Sequence, residues 1–249
     1  MSKGLALLVG LKRIDPKSHN NWSGENGCWG CELDVDNVER ILQNQGFQTK
    51  VLKTENATHN NILNALRSAA ISLKSGDIFA FYYSGHGGQQ PDLASSNIDE
   101  MDGEDETLVA FDRDIIDDDL HEIWLSFKDG VRIVMISDSC NSGTNYKNVG
   151  DFSNPTPIIP IIDKDIQEGM KAQLIHYGGS LDGKESKGYR GGGAFTMALC
   201  NVWSDGDFEG NYKELFQSTE NLVSRLQRPQ YNEYGNVSER FRNSKPFQI

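Results

Sequence analysis

Apolar residues along the chain form short strand-like runs separated by stretches of helical periodicity. LALLVGL (5–11), FQTKVL (47–52), IFAFYY (78–83), VRIVMIS (131–137) and AQLIHY (172–177) read as strands, several with no polar face at all. Between them, Val35, Val38, Ile41 and Leu42 recur at helical spacing, with Gly46 as a stop. Ile62, Leu63, Leu66, Ala69, Ala70 and Leu73 share one helix face behind a Thr58 cap and ahead of Gly76. Leu120, Ile123, Trp124 and Phe127 mark a third helix ended near Gly130, and 194–203 a fourth. Tyr212, Leu215, Phe216, Leu222, Val223 and Leu226 mark the last. KPFQI (245–249) is expected to add an edge strand. The connections are a Gly/Asn-rich loop (18–30), a polar, acidic loop (87–107), an irregular insertion with three prolines (144–170) and a Gly-rich loop (178–193).

Strands without a polar face, alternating with helices, predict an α/β fold: a mostly parallel central sheet with helices on both faces. In such sheets ligands sit outside the carboxyl ends of the strands, so the residues that follow each strand are the ones to inspect. His86 follows IFAFYY within three residues, in SGHGG, and Cys140 follows VRIVMIS within three, in SDSCNSG. If those strands are neighbours, imidazole and thiol leave the sheet on the same edge. A thiol needs a base nearby to act as a nucleophile at neutral pH, and His86 is the candidate. Amide N–H groups near Gly87 and Cys140 are candidates for stabilising an oxyanion. The offset of 54 positions between His86 and Cys140 is close to that of caspases.

Composition narrows the field. The net charge of −12 argues against nucleic acid and anionic membrane as partners and favours Lys- and Arg-rich polypeptides. No segment approaches the roughly 18 apolar residues of a membrane span, and GLALLVGL reads as a first strand rather than a secretory leader. Four cysteines in 249 residues are not a disulfide scaffold, which predicts a reduced, cytoplasmic protein. Cys28-Trp-Gly-Cys31 invites a redox or zinc reading, but no second pair supplies a closed zinc site. GGGAFT (191–196) reads either as a phosphate-holding helix start or as a hinge beside a substrate groove. His19, His59, His121 and His176 read as surface or structural.

FYYSGHGGQ and ISDSCNSGT together resemble the two catalytic segments of metacaspases, the caspase-like cysteine peptidases. KGLALLVGL, GCELDVDNV, DGEDETLVAFD, IIDDDL and GGGAFTMAL agree with further family segments in the same order, so the resemblance covers most of residues 3–203. It implies a caspase-like three-layer sandwich in a single domain, 1–249. Residues 1–147 would be large-subunit-like, 148–171 an irregular insertion and 172–249 small-subunit-like. It implies Cys140 as nucleophile and His86 as base, with a pocket lined by Cys31, Asp34, Ser84 and Asp138 for the residue before the scissile bond.

A carboxylate at Asp138, two residues from the nucleophile, pairs with Arg or Lys and repels an acidic side chain; a structural carboxylate capping loop amides is its alternative. The resemblance implies an endopeptidase cutting after Arg or Lys through a thioester, monomeric, with no cofactor required for the chemistry, and the Asp138 carboxylate agrees with the basic preference. The alternatives are a catalytically silent scaffold and an amidase or acyltransferase on a small substrate. The resemblance also implies calcium as an activator, with Asp117, Asp118 and Asp102 as ligands; a further family ligand falls on Lys147, a departure from the pattern. An unliganded, solvated acidic loop is the competing reading of that segment. Self-cleavage within the insertion, near Lys147, Lys164 or Lys171, is a further expectation.

Overall fold

Apolar strands with no polar face must be covered on both sides, and the computed structural model of the chain shows how this is done. It describes residues 2–25, 28–91, 104–140, 169–179, 191–224 and 228–249, with the backbone alone at 89–91, 104–106, 117 and 140. In chain order the elements are β1 (Gly4–Gly10), α1 (Cys31–Asn44), β2 (Gln48–Lys53), α2 (His59–Ser72), β3 (Ile78–Pro91), β4 (Glu104–Val109), β5 (Asp114–Ile116), α3 (Asp117–Ser126), β6 (Arg132–Cys140), β7 (Gln173–Gly178), α4 (Ala194–Trp203), α5 (Tyr212–Val223), β8 (Gln230–Tyr234) and α6 (Glu239–Arg242). The main sheet has the order β2-β1-β3-β6-β7-β8. It is parallel except for β8, which runs antiparallel to β7.

Side chains alternate across a strand, and here the alternation splits one apolar run between two cores. Leu7, Val9, Phe79, Phe81, Ile133 and Met135 enter the core closed by Ile62 and Leu66 of α2 and Ile123 and Trp124 of α3. Their neighbours Ala6, Leu8, Ala80, Tyr82, Val134 and Ile136 enter the core closed by α1, α4 and α5, through Val35, Val38, Leu199 and Leu215. Helices thus cover both faces, as the apolar runs predict. Thr58 caps α2 by accepting from the amide of Asn61 at 3.3 Å, and Gly46, with φ of +88°, ends α1. Among the described residues no helix is long and apolar enough to cross a membrane.

The structure departs from the sequence pattern in three places. The loop expected over 87–107 is strand at both ends: β3 continues to Pro91 and pairs antiparallel with β4, from Gly87↔Leu108 to Pro91↔Glu104, while 92–103 lie outside the described residues. β5 extends that pairing by lying antiparallel to β4. KPFQI forms no strand; the edge is β8, and Phe247 instead inserts into the core beside Trp203 and Tyr212. β6 runs three residues further than VRIVMIS, to Cys140. The insertion expected at 144–170 lies outside the described residues, apart from its last two positions.

Candidate active site

β3 and β6 are neighbours, and their register runs without a break from Ile78↔Arg132 to Ser84↔Asp138 and His86↔Cys140. Adjacent strands lie about 4.8 Å apart. Positions 86 and 140, separated by 54 residues in sequence, therefore stand side by side at the carboxyl edge of the sheet. At that point β3 leaves β6: Gly87, the next residue, pairs with Leu108 of β4. Both residues lie within strands rather than after them, because the sheet is longer than its apolar runs.

The imidazole of His86 is buried and held on two sides. Its Nε2 lies 2.7 Å from the carbonyl oxygen of Gly24. A carbonyl only accepts, so Nε2 carries the hydrogen and the lone pair of the neutral ring is on Nδ1. The indole of Trp22 packs on the ring, with centroids 4.6 Å apart. Burial pulls the His86 pKa below its usual value, partly offset by the Gly24 carbonyl. The backbone beneath is fixed by the hydroxyl of Tyr83, which lies 2.6 Å from the carbonyl of His86 and 2.8 Å from that of Val109. This accounts for one of the glycines around the histidine: a Cβ on Gly85 would come within 2.6 Å of the Tyr83 hydroxyl.

Two pairs deeper in the register, at Ser84↔Asp138, is an acidic recess. Asp34, on the first turn of α1, and Asp138, at the end of β6, are both buried. The Ser84 hydroxyl donates to Asp34 Oδ2 at 3.0 Å, and the amide of Gly193 reaches both oxygens of Asp34 at 2.9 Å. Asp138 Oδ2 accepts from the amide and the hydroxyl of Thr196, at 3.0 and 2.7 Å. Since the Thr196 hydroxyl spends its proton on Asp138, the Tyr82 hydroxyl 2.7 Å away donates to Thr196. Burial, and after it the neighbouring charge of Asp138, push the Asp34 pKa up to about 7. Burial also raises Asp138, against the hydrogen bonds from Thr196. Among the described residues no cation contacts either carboxylate. Two carboxylates taken out of water without a positive partner are costly in their charged form, and that cost would be relieved by a proton or by a basic ligand.

Asp34, Ser84 and Asp138 are thus brought together; Cys31, buried and free, lies one turn earlier on α1. Sequence reasoning missed Trp22, Gly24, Tyr82, Gly193 and Thr196. GGGAFT carried a signal for the last two, but the phosphate reading fails. The amides at the start of α4 are engaged by the two carboxylates, and a Cβ at Gly193 would stand 2.3 Å from Asp138 Oδ2. His19, His59 and His176 are buried and engaged, as structural histidines are: His176 bonds Ser137 at 2.9 Å, and burial pushes its pKa down to about 4.

The acidic stretch behaves differently. Asp117 and Asp118 open α3, while Asp119 is taken up by His59 Nε2 at 3.1 Å. Asp102 lies outside the described residues. Among the described residues no three carboxylate, imidazole or thiol groups converge as metal ligands.

A family model described as the caspase domain matches residues 3–241. The Metacaspase-1 of Botryotinia fuckeliana is 31% identical over 235 residues, spanning 82% of this chain and 52% of that protein. The Metacaspase-1 of Schizosaccharomyces pombe is 35% identical over 156 residues, 57% of this chain and 34% of that protein. The chain therefore spans about half, or less, of the length of these curated relatives. Among solved structures, protein GSU0716 from Geobacter sulfurreducens superposes with a TM-score of 0.79 at 31% identity, covering 99% of both chains. Caspase-1 from Spodoptera frugiperda superposes with a TM-score of 0.57 at 15% identity, over 94% of this chain and 88% of that one, which shows the shared fold.

Proposed function

This chain belongs to the caspase-domain family, and from that premise we propose that it is a cysteine endopeptidase cleaving polypeptides after Arg or Lys. The observation that carries the specificity is the buried pair Asp34 and Asp138, with no cation paired to it among the described residues, two register positions from the pair His86↔Cys140. A guanidinium or ammonium group entering that recess would replace the proton that burial favours and supply the positive partner the carboxylates lack among the described residues. An acidic side chain would add a third carboxylate to two.

In this reading the Cys140 thiol gives its proton to Nδ1 of His86, and the thiolate attacks the carbonyl carbon after the basic residue. The resulting oxyanion faces the amides of Gly87 and Cys140. Collapse of the tetrahedral intermediate breaks the C–N bond, with the leaving amine taking the proton from His86. Water, deprotonated by the same imidazole, then hydrolyses the thioester and frees the thiol. The carbonyl of Gly24 keeps the Nε2 hydrogen in place throughout, which leaves Nδ1 as the working nitrogen.

The test is a positional-scanning peptide library with wild type, Cys140→Ala and Asp138→Asn. Cleavage restricted to Arg and Lys, absent in Cys140→Ala and lost or relaxed in Asp138→Asn, supports the reading. Cleavage after acidic or apolar residues, or none at all by wild type, removes it. Calcium enters the proposal as an activator through Asp102, Asp117 and Asp118, on the strength of the resemblance alone. Activity lost in EDTA, regained with calcium, and not regained by Asp118→Asn would support it; activity indifferent to EDTA would end it.

A further inference from the structure

The Gly/Asn-rich loop over 18–24 meets His86 through the Gly24 carbonyl and the Trp22 indole, and it is built more firmly than a linker needs to be. Asn20, Asn21 and Gly24 all take left-handed conformations, with φ of 51°, 64° and 67°. The amide of Asn21 donates to the carbonyl of Pro16 at 2.7 Å, and that of Trp22 to the carbonyl of His19 at 2.9 Å. The next residue ties the loop to the strand end: the amide of Ile14 donates to the carbonyl of Ser23 at 2.8 Å. The amide of Asp15 donates to the carbonyl of Phe111, and the buried His19 lies 3.7 Å from Asp114, so the loop is also tied to the β4–β5 hairpin. The left-handed residues turn the chain so that Gly24 meets the Nε2 edge of His86 and the Trp22 indole packs beside the ring at an inclination of 55°. A Cβ on Gly24 would lie 3.2 Å from His86 Cδ2 and 3.2 Å from Ile14, which leaves no slack on the edge side.

We propose that Trp22 is a positioning residue for His86: its indole, fixed by this loop, clamps the imidazole in the single orientation that turns Nδ1 toward position 140 and favours the imidazolium formed when the thiol is deprotonated. The imidazole is held at Nε2 by a hydrogen bond and flanked by the indole, with centroids 4.6 Å apart and the two planes inclined at 55°. The edge bond alone leaves the ring free to swing about the Nε2–H axis; the indole removes that freedom. An aromatic face is also a favourable neighbour for a cation, so the same contact that orients the neutral ring stabilises the charged one. Apolar packing alone would supply the first effect and not the second.

The inference rests on the pairing of Cys140 with His86, and the experiment separates the two. The rate of alkylation of Cys140 by iodoacetamide is followed by peptide-mapping mass spectrometry across pH 5–9, in wild type, His86→Ala, Trp22→Ala, Trp22→Leu and Trp22→Phe. Hydrolysis of an Arg-ending fluorogenic peptide is measured alongside. The expected result is a loss of kcat of about 10²-fold in Trp22→Ala and Trp22→Leu, the size of a misplaced catalytic group, with KM little changed. Cys140 alkylation near neutral pH should slow in both, and Trp22→Phe should recover most of both losses.

Normal alkylation and kcat in Trp22→Leu, which keeps apolar bulk without an aromatic face, would overturn the proposal. So would a Trp22→Phe variant as impaired as Trp22→Ala. If His86→Ala alkylates as fast as wild type, the cysteine–histidine reading itself has failed. If His86→Ala slows the reaction while the Trp22 variants do not, this inference alone has failed. If wild type alkylates as expected but cleaves no Arg peptide, only the specificity reading falls, and Trp22 is still judged by alkylation.

Discussion

Asp34 gives the molecule a pH dependence that can be worked out in sign. Its pKa rises from 3.8 in the unfolded chain to about 7 in the fold, through burial and then the charge of Asp138. Between those values the folded state holds a proton that the unfolded state has released, so stability falls as pH rises from about 4 to 7 and stays reduced above that. Asp34→Asn removes the penalty. It is expected to raise Tm at pH 8, by a gain on the order of a few kcal/mol, and to leave Tm nearly unchanged at pH 4, where both proteins are neutral at this position. Thermal melts at the two pH values check this, and an equal shift at both would refute it. The same proton opposes a basic substrate, so KM for an Arg peptide should fall as pH rises through about 7. The acid limb of kcat belongs instead to His86, whose pKa burial holds below the usual 6.5; separate profiles of kcat and KM should resolve the two groups. A single limb shared by both parameters would argue against two separate titrations.

At the scale of elements, the recess exists because α4 starts where two strands and a helix converge. Gly30 packs against Gly192 so closely that a Cβ would lie 2.4 Å from the Gly192 Cα, and Gly193 has no room for a Cβ beside Asp138. Gly193→Ala is therefore expected to cost about 1–3 kcal/mol by overpacking and to weaken binding of Arg peptides, measured as a lower Tm together with a raised KM. Unchanged values of both would mean that α4 can shift to make room. These contacts explain what the sequence could and could not reveal. The strands β1, β3 and β6 were legible because each lies between two cores and carries apolar residues on both faces. β4 was not, since EDETLV opens with three charged residues and reads as loop, and its pairing comes from the backbone of a glycine-rich partner. β8, QYNEY, is an edge strand whose residues are mostly half-buried, so nothing in its composition separates it from a turn. His86, Cys140 and Asp138 were legible as residues that follow strand ends, and Asp34, on α1, only through the resemblance of GCELDVDNV to a family segment. Trp22 and Thr196 were not, because their roles depend on loop and helix starts arriving from 64 positions before His86 and 58 positions after Asp138.

The whole molecule carries 24 Lys and Arg against 36 Asp and Glu, a net charge of −12. The recess contributes two of those carboxylates, but they are buried and screened only weakly by salt, so they act at contact range. The remaining excess is spread over the chain and acts on a substrate before it docks. The two effects separate with a pair of peptides that share an Arg at the cleaved bond and differ only in distant flanks, one rich in Lys and one rich in Glu. At about 0.01 M salt the Debye length is roughly 30 Å and the flanks feel the protein's field; at 0.15 M it is about 8 Å and they largely do not. The Lys-flanked peptide should show the higher kcat/KM at low salt, with kcat equal for the two, and the ratio should move toward one as salt is added. The preference for Arg at the cleaved bond should survive the same titration, because it is decided inside the recess. A flank ratio that ignores salt would mean that the acidic surface has no part in substrate capture. An Arg preference that collapses with salt would mean that recognition takes place on the surface and not between Asp34 and Asp138.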